Sequence, residues 1–118
     1  MSQKSIDELA TRLRQFAAER DWEQFHSPKN ISMALSVEVA EILEHFQWMT
    51  EQQSRELDQD KQAEVSEELA DAFIYLVRLA DQLGVDLMAA AERKLKINEA
   101  KYPADRVRGS SKKYTEYD

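Results

Sequence analysis

Two short acidic motifs constrain this chain more than any other feature. They are Glu38-Val-Ala-Glu41 and Glu68-Leu-Ala-Asp71. Residues three apart share one face of an α-helix, so each motif directs two carboxylates the same way. Each motif also adjoins an apolar stripe at helical spacing. The stripes are Leu35, Val39, Ile42 and Phe46, and Leu69, Phe73, Leu76 and Ala80. Two helices that pack beside these stripes should bring four carboxylates together.

Four converging carboxylates cannot all remain charged and unpaired. Each like-charge contact near 4 Å costs about 4 kcal/mol at an effective dielectric constant of about 20. Either the carboxyl pKa values rise until protons bind, or a cation lies among the oxygens. An all-oxygen site suits a hard ion such as Mg²⁺, which completes its shell with water and substrate phosphates. A single ExxE motif is usually only a solvated pair of charges, and the residues alone leave that alternative open.

Composition indicates an all-α protein. The 118 residues include only two glycines and two prolines, and the abundant Ala, Leu, Glu, Lys and Gln favour helices. The length suits a single domain, 1–118, whose end, 103–118, is a basic tail that is either functional or merely solvated. The net charge of −7 argues against nucleic-acid binding. Without cysteine, a signal-peptide pattern or a membrane-length apolar run, we expect a cytoplasmic protein with no membrane contact.

Capping residues and apolar periodicity predict four long helices. Their expected bounds are Ser5 to about Asp21, Pro28 to about Trp48, about Gln62 to Gln82, and Asp86 to just before Pro103. Thr50 to Gln53 can cap a short helical turn between the second and third helices, and Gly84 should end the third.

The middle of the third predicted helix is apolar on nearly every side. From Ala72 to Ala80 the only charged residue is Arg78. A helix that is apolar all round must be covered all round, and one short chain cannot easily do this. We therefore expect the third helix to pack against a second subunit.

Two further groups of side chains suit a nucleotide. Lys94, Asn98, Lys101 and Tyr102 share one face of the fourth helix, and lysine binds phosphate as a point charge. The aromatic side chains Trp22, Phe25, His26 and Trp48 could stack on a base, a contact worth about 1–3 kcal/mol. Both patterns also have ordinary structural explanations, namely solvated lysines and aromatic residues that close a core.

Several motifs taken together resemble the MazG-like nucleotide pyrophosphohydrolases, and most closely their dCTP pyrophosphatase branch. They follow in order through nearly the whole chain, with only Thr50 to Asp60 unassigned. The motifs are Arg20 to His26, Glu38xxGlu41, Phe46-Gln-Trp48, Glu67-Glu-Leu-Ala-Asp71, Ile74-Tyr-Leu76, Lys94xxxAsn98xxxTyr102-Pro103 and Lys113-Tyr-Thr-Glu116.

This resemblance implies an all-α, MazG-like four-helix bundle protomer. It further implies assembly through the third helix into a homotetramer, a dimer of dimers with active sites between subunits. The reaction it implies is Mg²⁺-dependent cleavage of a (deoxy)nucleoside triphosphate between the α- and β-phosphates, giving the monophosphate and pyrophosphate. The implied substrate is dCTP or modified dCTP, and the implied role is cleaning of the nucleotide pool.

The resemblance also implies residue roles. Glu38, Glu41, Glu68 and Asp71 hold Mg²⁺, and Glu41 is the first choice for the base that takes a proton from the attacking water. Lys94, Asn98 and Tyr102 hold phosphates or sugar, while Trp22, His26, Trp48 and Tyr75 line the base pocket. Leu13 stands where close relatives have a polar pocket residue, which leaves the preferred base less certain than the reaction.

Two alternatives remain beside this hypothesis. A related all-α hydrolase could act on dUTP or on phosphoribosyl-ATP, and substrate profiling separates these cases. A non-catalytic helical oligomerisation or binding module is the other alternative, and the retention of all four carboxylates argues against it.

Overall fold

The computed structural model describes residues 5–111 and 115. All regular structure in this part of the chain is helical, which confirms the all-α prediction. The elements are α1 (Ile6–Glu19), a 3₁₀ turn (Glu23–Phe25), α2 (Pro28–Phe46), α3 (Glu51–Arg55), α4 (Gln59–Gln82), α5 (Leu87–Lys101) and α6 (Ala104–Val107).

Side-chain caps account for where the helices begin. Ser5, Asp58 and Asp86 each accept a hydrogen bond from the backbone N–H three residues later, at 3.1, 2.8 and 3.0 Å. Thr50 and Gln53 form the complete capping box expected of them. Because Asp58 is the N-cap of α4, this helix, the third predicted one, begins slightly earlier than the apolar periodicity indicated.

The ends of α1 and α4 share a hydrogen-bonding pattern known as the Schellman motif. After α4, Gly84 has φ +67°, and the next N–H donates to the Ala80 oxygen at 2.9 Å. After α1, Asp21 takes the same left-handed conformation, with φ +53°, and the N–H of Trp22 donates to the Ala17 oxygen at 2.9 Å. Aspartate is one of the few residues besides glycine that tolerates this conformation. The motif fixes Trp22 directly beyond the end of α1.

Helix α4 packs mainly against α2 and also against α1. Ala17, Ile31 and Val77, one from each of these helices, are almost completely buried. Large apolar side chains of the predicted α4 stripe remain exposed, including Leu69 at 54% and Phe73 at 43%. The described part of one chain therefore leaves these α4 side chains uncovered, and packing against a second subunit stays a prediction.

The contacts divide the chain into two units, 1–85 and 86–118. The first contains α1 to α4 and the second contains α5 and α6. The single domain and the four-helix bundle stay predictions. Helix α6 lies within the predicted basic tail and was not foreseen, whereas Lys112, Lys113, Tyr114 and Glu116 lie outside the described residues. Within the described ranges, no helix is long and apolar enough to cross a membrane.

Candidate active site

Three carboxylates converge between α2 and α4. One oxygen from each of Glu38, Glu41 and Glu68 lies within 4.8 Å of the other two. Asp71, one turn further along α4, does not belong to this close group, but its negative charge acts on both Glu38 and Glu68. The structure thus brings together three of the four predicted metal ligands and leaves the fourth beside them.

The carboxylate cluster raises the pKa values of two of its members. Burial is the main cause of the raised pKa of Glu38, and a hydrogen bond to Glu41 and the negative charges of Glu41, Asp71 and Glu68 add to it. For Glu68 the main cause of the raised pKa is a hydrogen bond to Glu41, followed by burial and by the charges of Glu41 and Asp71. Each carboxyl binds its proton more tightly because its ionised form adds another charge to an acidic site.

One oxygen of the cluster has no partner. Glu38 Oε2 is buried without a hydrogen-bond partner among the described residues. A buried carboxylate oxygen in this state costs free energy unless something compensates its charge. A divalent cation bound by Glu38, Glu41 and Glu68 would supply that compensation, and an all-carboxylate set is what a hard cation prefers. The residues present therefore fit a divalent metal.

Basic side chains flank the carboxylate cluster on one side. His45 Nε2 lies 3.8 Å from Glu68 Oε1, and Lys61 Nζ lies 3.4 Å from His45 Nδ1 and 3.2 Å from Glu64 Oε2. Sequence reasoning overlooked both basic residues. The available signal was helical spacing, because His45 follows Glu41 by one turn on α2 and Lys61 precedes Glu68 by two turns on α4.

A mainly apolar cavity of about 410 Å³ lies in the first unit, within the size range of small-molecule sites. Tyr75 in its wall follows Asp71 by one turn of α4, so the cavity and the carboxylates share a side of that helix. Three of the four predicted base-pocket residues line it, and so does Leu13. The lining residues are Leu9, Arg12, Leu13, Phe16, Ala17, Trp22, His26, Ile74, Tyr75 and Arg78.

Aromatic contacts hold the wall of this cavity. The Trp22 ring meets the Phe16 ring edge-on, with centroids 5.7 Å apart, and lies 6.3 Å from the His26 ring. The 3₁₀ turn between Trp22 and His26 is attached to α2 because the Asn30 side chain donates to the Phe25 oxygen at 3.1 Å. Trp22 and His26 are therefore placed by backbone structure on both sides of them.

The remaining predicted substrate-binding residues lie elsewhere. Trp48, just beyond α2, is 88% exposed and does not line the cavity. Lys94 and Asn98 are exposed on α5, and the Tyr102 N–H donates to the Asn98 oxygen at 2.8 Å at the end of that helix. These three belong to the second unit. Their roles, and that of Trp48, stay predictions.

Arg78 is the cavity residue that sequence reasoning did not assign. Its side chain is buried, with the residue 4% exposed, and Nε donates to His26 Nδ1 at 3.3 Å. Nη1 lies 3.6 Å from Asp81 Oδ2, an oxygen that Arg14 Nε also approaches to 2.9 Å. The signal in the sequence was a single charge in an apolar stretch, with an acidic residue three positions later.

Burial and Arg78 together favour the neutral form of His26. Burial and then the positive charge of Arg78 lower the pKa of His26, while Glu23 opposes them. Because Nδ1 accepts the hydrogen bond from Arg78, the neutral ring carries its proton on Nε2.

We expect folding stability to decrease in mild acid, because the His26–Arg78 contact stabilises the protein only while His26 is neutral. The pKa of His26 is lowered in the folded protein, so the contribution to stability is complete above the unfolded value of about 6.5 and is lost as the pH falls below it. Melting temperatures measured from pH 8 to 5 should therefore fall more steeply for the wild type than for His26→Gln. Parallel curves would show that the contact does not discriminate between the two protonation states.

Comparison with known proteins agrees with this geometry. The MazG-like family model matches residues 33–117. Human dCTP pyrophosphatase 1 is 45% identical over 114 residues, which cover 95% of this chain and 67% of the human protein. Bovine dCTP pyrophosphatase 1 is 41% identical over 117 residues, which cover 98% of this chain and 69% of the bovine protein. A crystal structure of a pyrophosphatase from Archaeoglobus fulgidus superimposes with a TM-score of 0.79 at 39% identity, covering 87% of this chain and 96% of that one.

The fold and the carboxylate cluster define an all-helical protein with a candidate divalent-metal site. The family match and the identities then specify the class further: the chain belongs to the MazG-like family.

Proposed function

We propose that this chain is a Mg²⁺-dependent nucleoside triphosphate pyrophosphohydrolase that acts on dCTP and modified dCTP. The observation that carries the proposal is the convergence of Glu38, Glu41 and Glu68 within 4.8 Å, in a chain similar to proteins named dCTP pyrophosphatase. The chain is an enzyme that cleaves a nucleoside triphosphate to the monophosphate and pyrophosphate. Its proposed role is removal of surplus or modified nucleotides in the cytoplasm.

The carboxylate cluster supplies both the metal site and the base. Glu38, Glu41, Glu68 and the neighbouring Asp71 would hold Mg²⁺, which when bound neutralises phosphate charge and makes water more acidic. Glu41 contributes to the raised pKa of both Glu38 and Glu68, and its carboxylate lies within 4.8 Å of both, which supports a role for it between them. We assign Glu41 as the base that accepts a proton from the water attacking the α-phosphorus.

The cavity lined by Trp22, His26 and Tyr75 is the proposed base pocket. Stacking on its aromatic wall orients the base without ionic contacts. Trp48 is 88% exposed and does not line this cavity, and we propose that it completes the pocket of another subunit. Lys94, Asn98 and Tyr102 are proposed to bind phosphates or sugar.

A homotetramer, arranged as a dimer of dimers, is the proposed assembly. Its support is the apolar stripe of α4, in which Leu69, Phe73 and Leu76 are spaced on one face and exposed. A contiguous exposed apolar surface of this kind marks a protein–protein interface. A second copy of this chain offers the same stripe, as the self-complementary contact of a two-fold dimer requires.

The first test is pyrophosphate release from a panel of nucleoside triphosphates, each with Mg²⁺ and with a chelator. We expect Mg²⁺-dependent release that is fastest on dCTP or 5-substituted dCTP. A preference for dUTP, or cleavage of phosphoribosyl-ATP, would replace the substrate and keep the metal site. Failure to hydrolyse any of these compounds would favour a non-catalytic binding module.

A further inference from the structure

We propose that Arg78 is the specificity-determining residue of the base pocket, and that its guanidinium donates to the adjacent O2 and N3 acceptors of cytosine. The inference rests on the proposed function, because it concerns the base of that substrate. Arg78 is the one buried charged residue among the described residues, and it lies in the wall of the cavity beside Tyr75 and His26.

The contacts of Arg78 hold its guanidinium in place without using all its donors. A guanidinium has five N–H donors in a planar fork. The contact with His26 uses Nε, and the contact with Asp81 involves Nη1. Neither of these contacts involves Nη2. The fork is therefore oriented before any ligand binds, and this avoids an entropic cost on binding.

The charge of Arg78 is only partly balanced by its protein partners. Asp81 is shared between two guanidinium groups and lies closer to Arg14, at 2.9 Å, than to Arg78, at 3.6 Å. His26 accepts a hydrogen bond but offers no negative charge in its neutral form. A buried cation with such loose compensation is costly for folding alone. Acceptor atoms of a bound base would complete its hydrogen bonding.

Two cavities meet at this side chain. The apolar cavity lies on one side, and a polar cavity of about 610 Å³, lined by Arg14, Asp81 and Gln24 among others, also includes Arg78 and His26. The polar cavity contains the groups that orient Arg78, whereas the apolar cavity has the aromatic rings that stack on a base. We therefore infer that the residues of the polar cavity position Arg78 and that the apolar cavity binds the substrate base.

The chemistry of the bases decides which substrate suits this donor. Cytosine presents two adjacent acceptors, O2 and unprotonated N3, to a guanidinium fork. Uracil and thymine carry a hydrogen on N3, so one fork donor would meet another donor. A site built to donate to an acceptor discriminates strongly against an analogue that lacks it, because a buried polar group is then left unpaired. Because the pyrimidine bases are similar in size, the shape of the pocket alone cannot separate them. Arg78 thus favours cytosine over uracil and thymine.

The test compares dCTP, dUTP and 3-deaza-dCTP, in which a C–H replaces N3, on the wild type and on Arg78→Met. For the wild type we expect kcat/KM to be about 10- to 100-fold lower for 3-deaza-dCTP than for dCTP, the range of a bidentate base contact. In Arg78→Met this difference should nearly disappear, with the loss for dCTP appearing mainly in KM. Arg78→Lys, which keeps the charge without the fork, should recover only part of the discrimination.

Arg55→Met is the matched control, since Arg55 is an exposed arginine on α3 whose ion-pair partner within residues 5–111 is Glu51, at 3.6 Å. It should keep the wild-type ratio. Wild-type activity that ignores the N3 replacement would overturn the inference without any variant having to fold. Equal losses on all three substrates in both Arg78 variants would show a purely structural role. Absence of hydrolysis by the wild type would instead overturn the proposed function itself.

Discussion

Glu38→Gln is expected to lower turnover by at least about 100-fold and to raise the melting temperature of the metal-free protein. Loss of a residue that only supports a metal ligand typically costs 10- to 100-fold, so loss of a ligand itself should cost at least the upper figure. Glu38 is the proposed ligand whose buried oxygen has no hydrogen-bond partner among the described residues. Pyrophosphate release from dCTP with Mg²⁺ measures the first effect, and thermal melting in chelator measures the second.

The expected gain in stability follows from the direction of the pKa shift. The raised pKa of Glu38 means that the folded protein binds this proton more tightly than the unfolded chain does. Metal-free stability therefore decreases as the pH rises above the ordinary glutamate value of about 4.3 and through the raised one. A neutral glutamine removes this penalty. The difference between variant and wild type should be largest at neutral pH and shrink toward pH 4.

Mg²⁺ should make the wild type more stable than Glu38→Gln, the reverse of the order expected without metal. Ligand binding at 100 times Kd stabilises a protein by about 2.7 kcal/mol, a gain expected for the wild type and not for Glu38→Gln. Glu44→Gln is the matched control, because Glu44 is an exposed glutamate on the same helix outside the carboxylate cluster. If both variants keep wild-type turnover and respond equally to Mg²⁺, the metal assignment is wrong.

Local sequence signals predicted the helices well because local interactions determine where they begin and end. Ser5, Thr50 and Asp86 were recognisable caps, and their hydrogen bonds are present. The left-handed turn at Asp21 was not foreseen, since aspartate adopts this conformation only where the surrounding contacts favour it. Helix α6 was missed because its four residues are too few for apolar periodicity to show.

The candidate site was predictable only where its residues share a helical pattern. Glu38 and Glu41 follow from spacing on one helix. Their approach to Glu68 was predicted from two apolar stripes, but much of both stripes is exposed in one chain, so the stripes did not identify the packed sides of the helices. The exposed stripe residues are Val39, Leu69, Phe73 and Leu76. Family membership, predicted from ordered motifs, is confirmed. The contact of Arg78 with His26 joins residues 52 positions apart, and no periodicity relates an α4 residue to a turn so distant in sequence. Such contacts depend on tertiary packing.

Phe73→Glu is expected to convert the proposed tetramer to smaller species and to remove most activity. Phe73 occupies the middle of the exposed stripe formed with Leu69 and Leu76, at helical spacing on α4. Packing two such stripes together removes apolar surface from water, and this stabilises the contact by about 25 cal/mol for each Å² buried. A carboxylate at the centre would have to lose its hydration there, and a two-fold contact would place two copies of that charge near each other.

Sedimentation velocity and dCTP hydrolysis measured on the same samples test the Phe73 prediction. Activity should fall together with assembly, because Trp48 is 88% exposed in its own chain and is proposed to act in the pocket of a neighbour. Ala63→Glu, at an exposed position of the same helix outside the stripe and the metal motif, should leave both properties unchanged and so excludes a general effect of added charge. A Phe73→Glu protein that stays assembled would place the interface elsewhere. Dissociated subunits with full activity would show that each chain builds its base pocket alone.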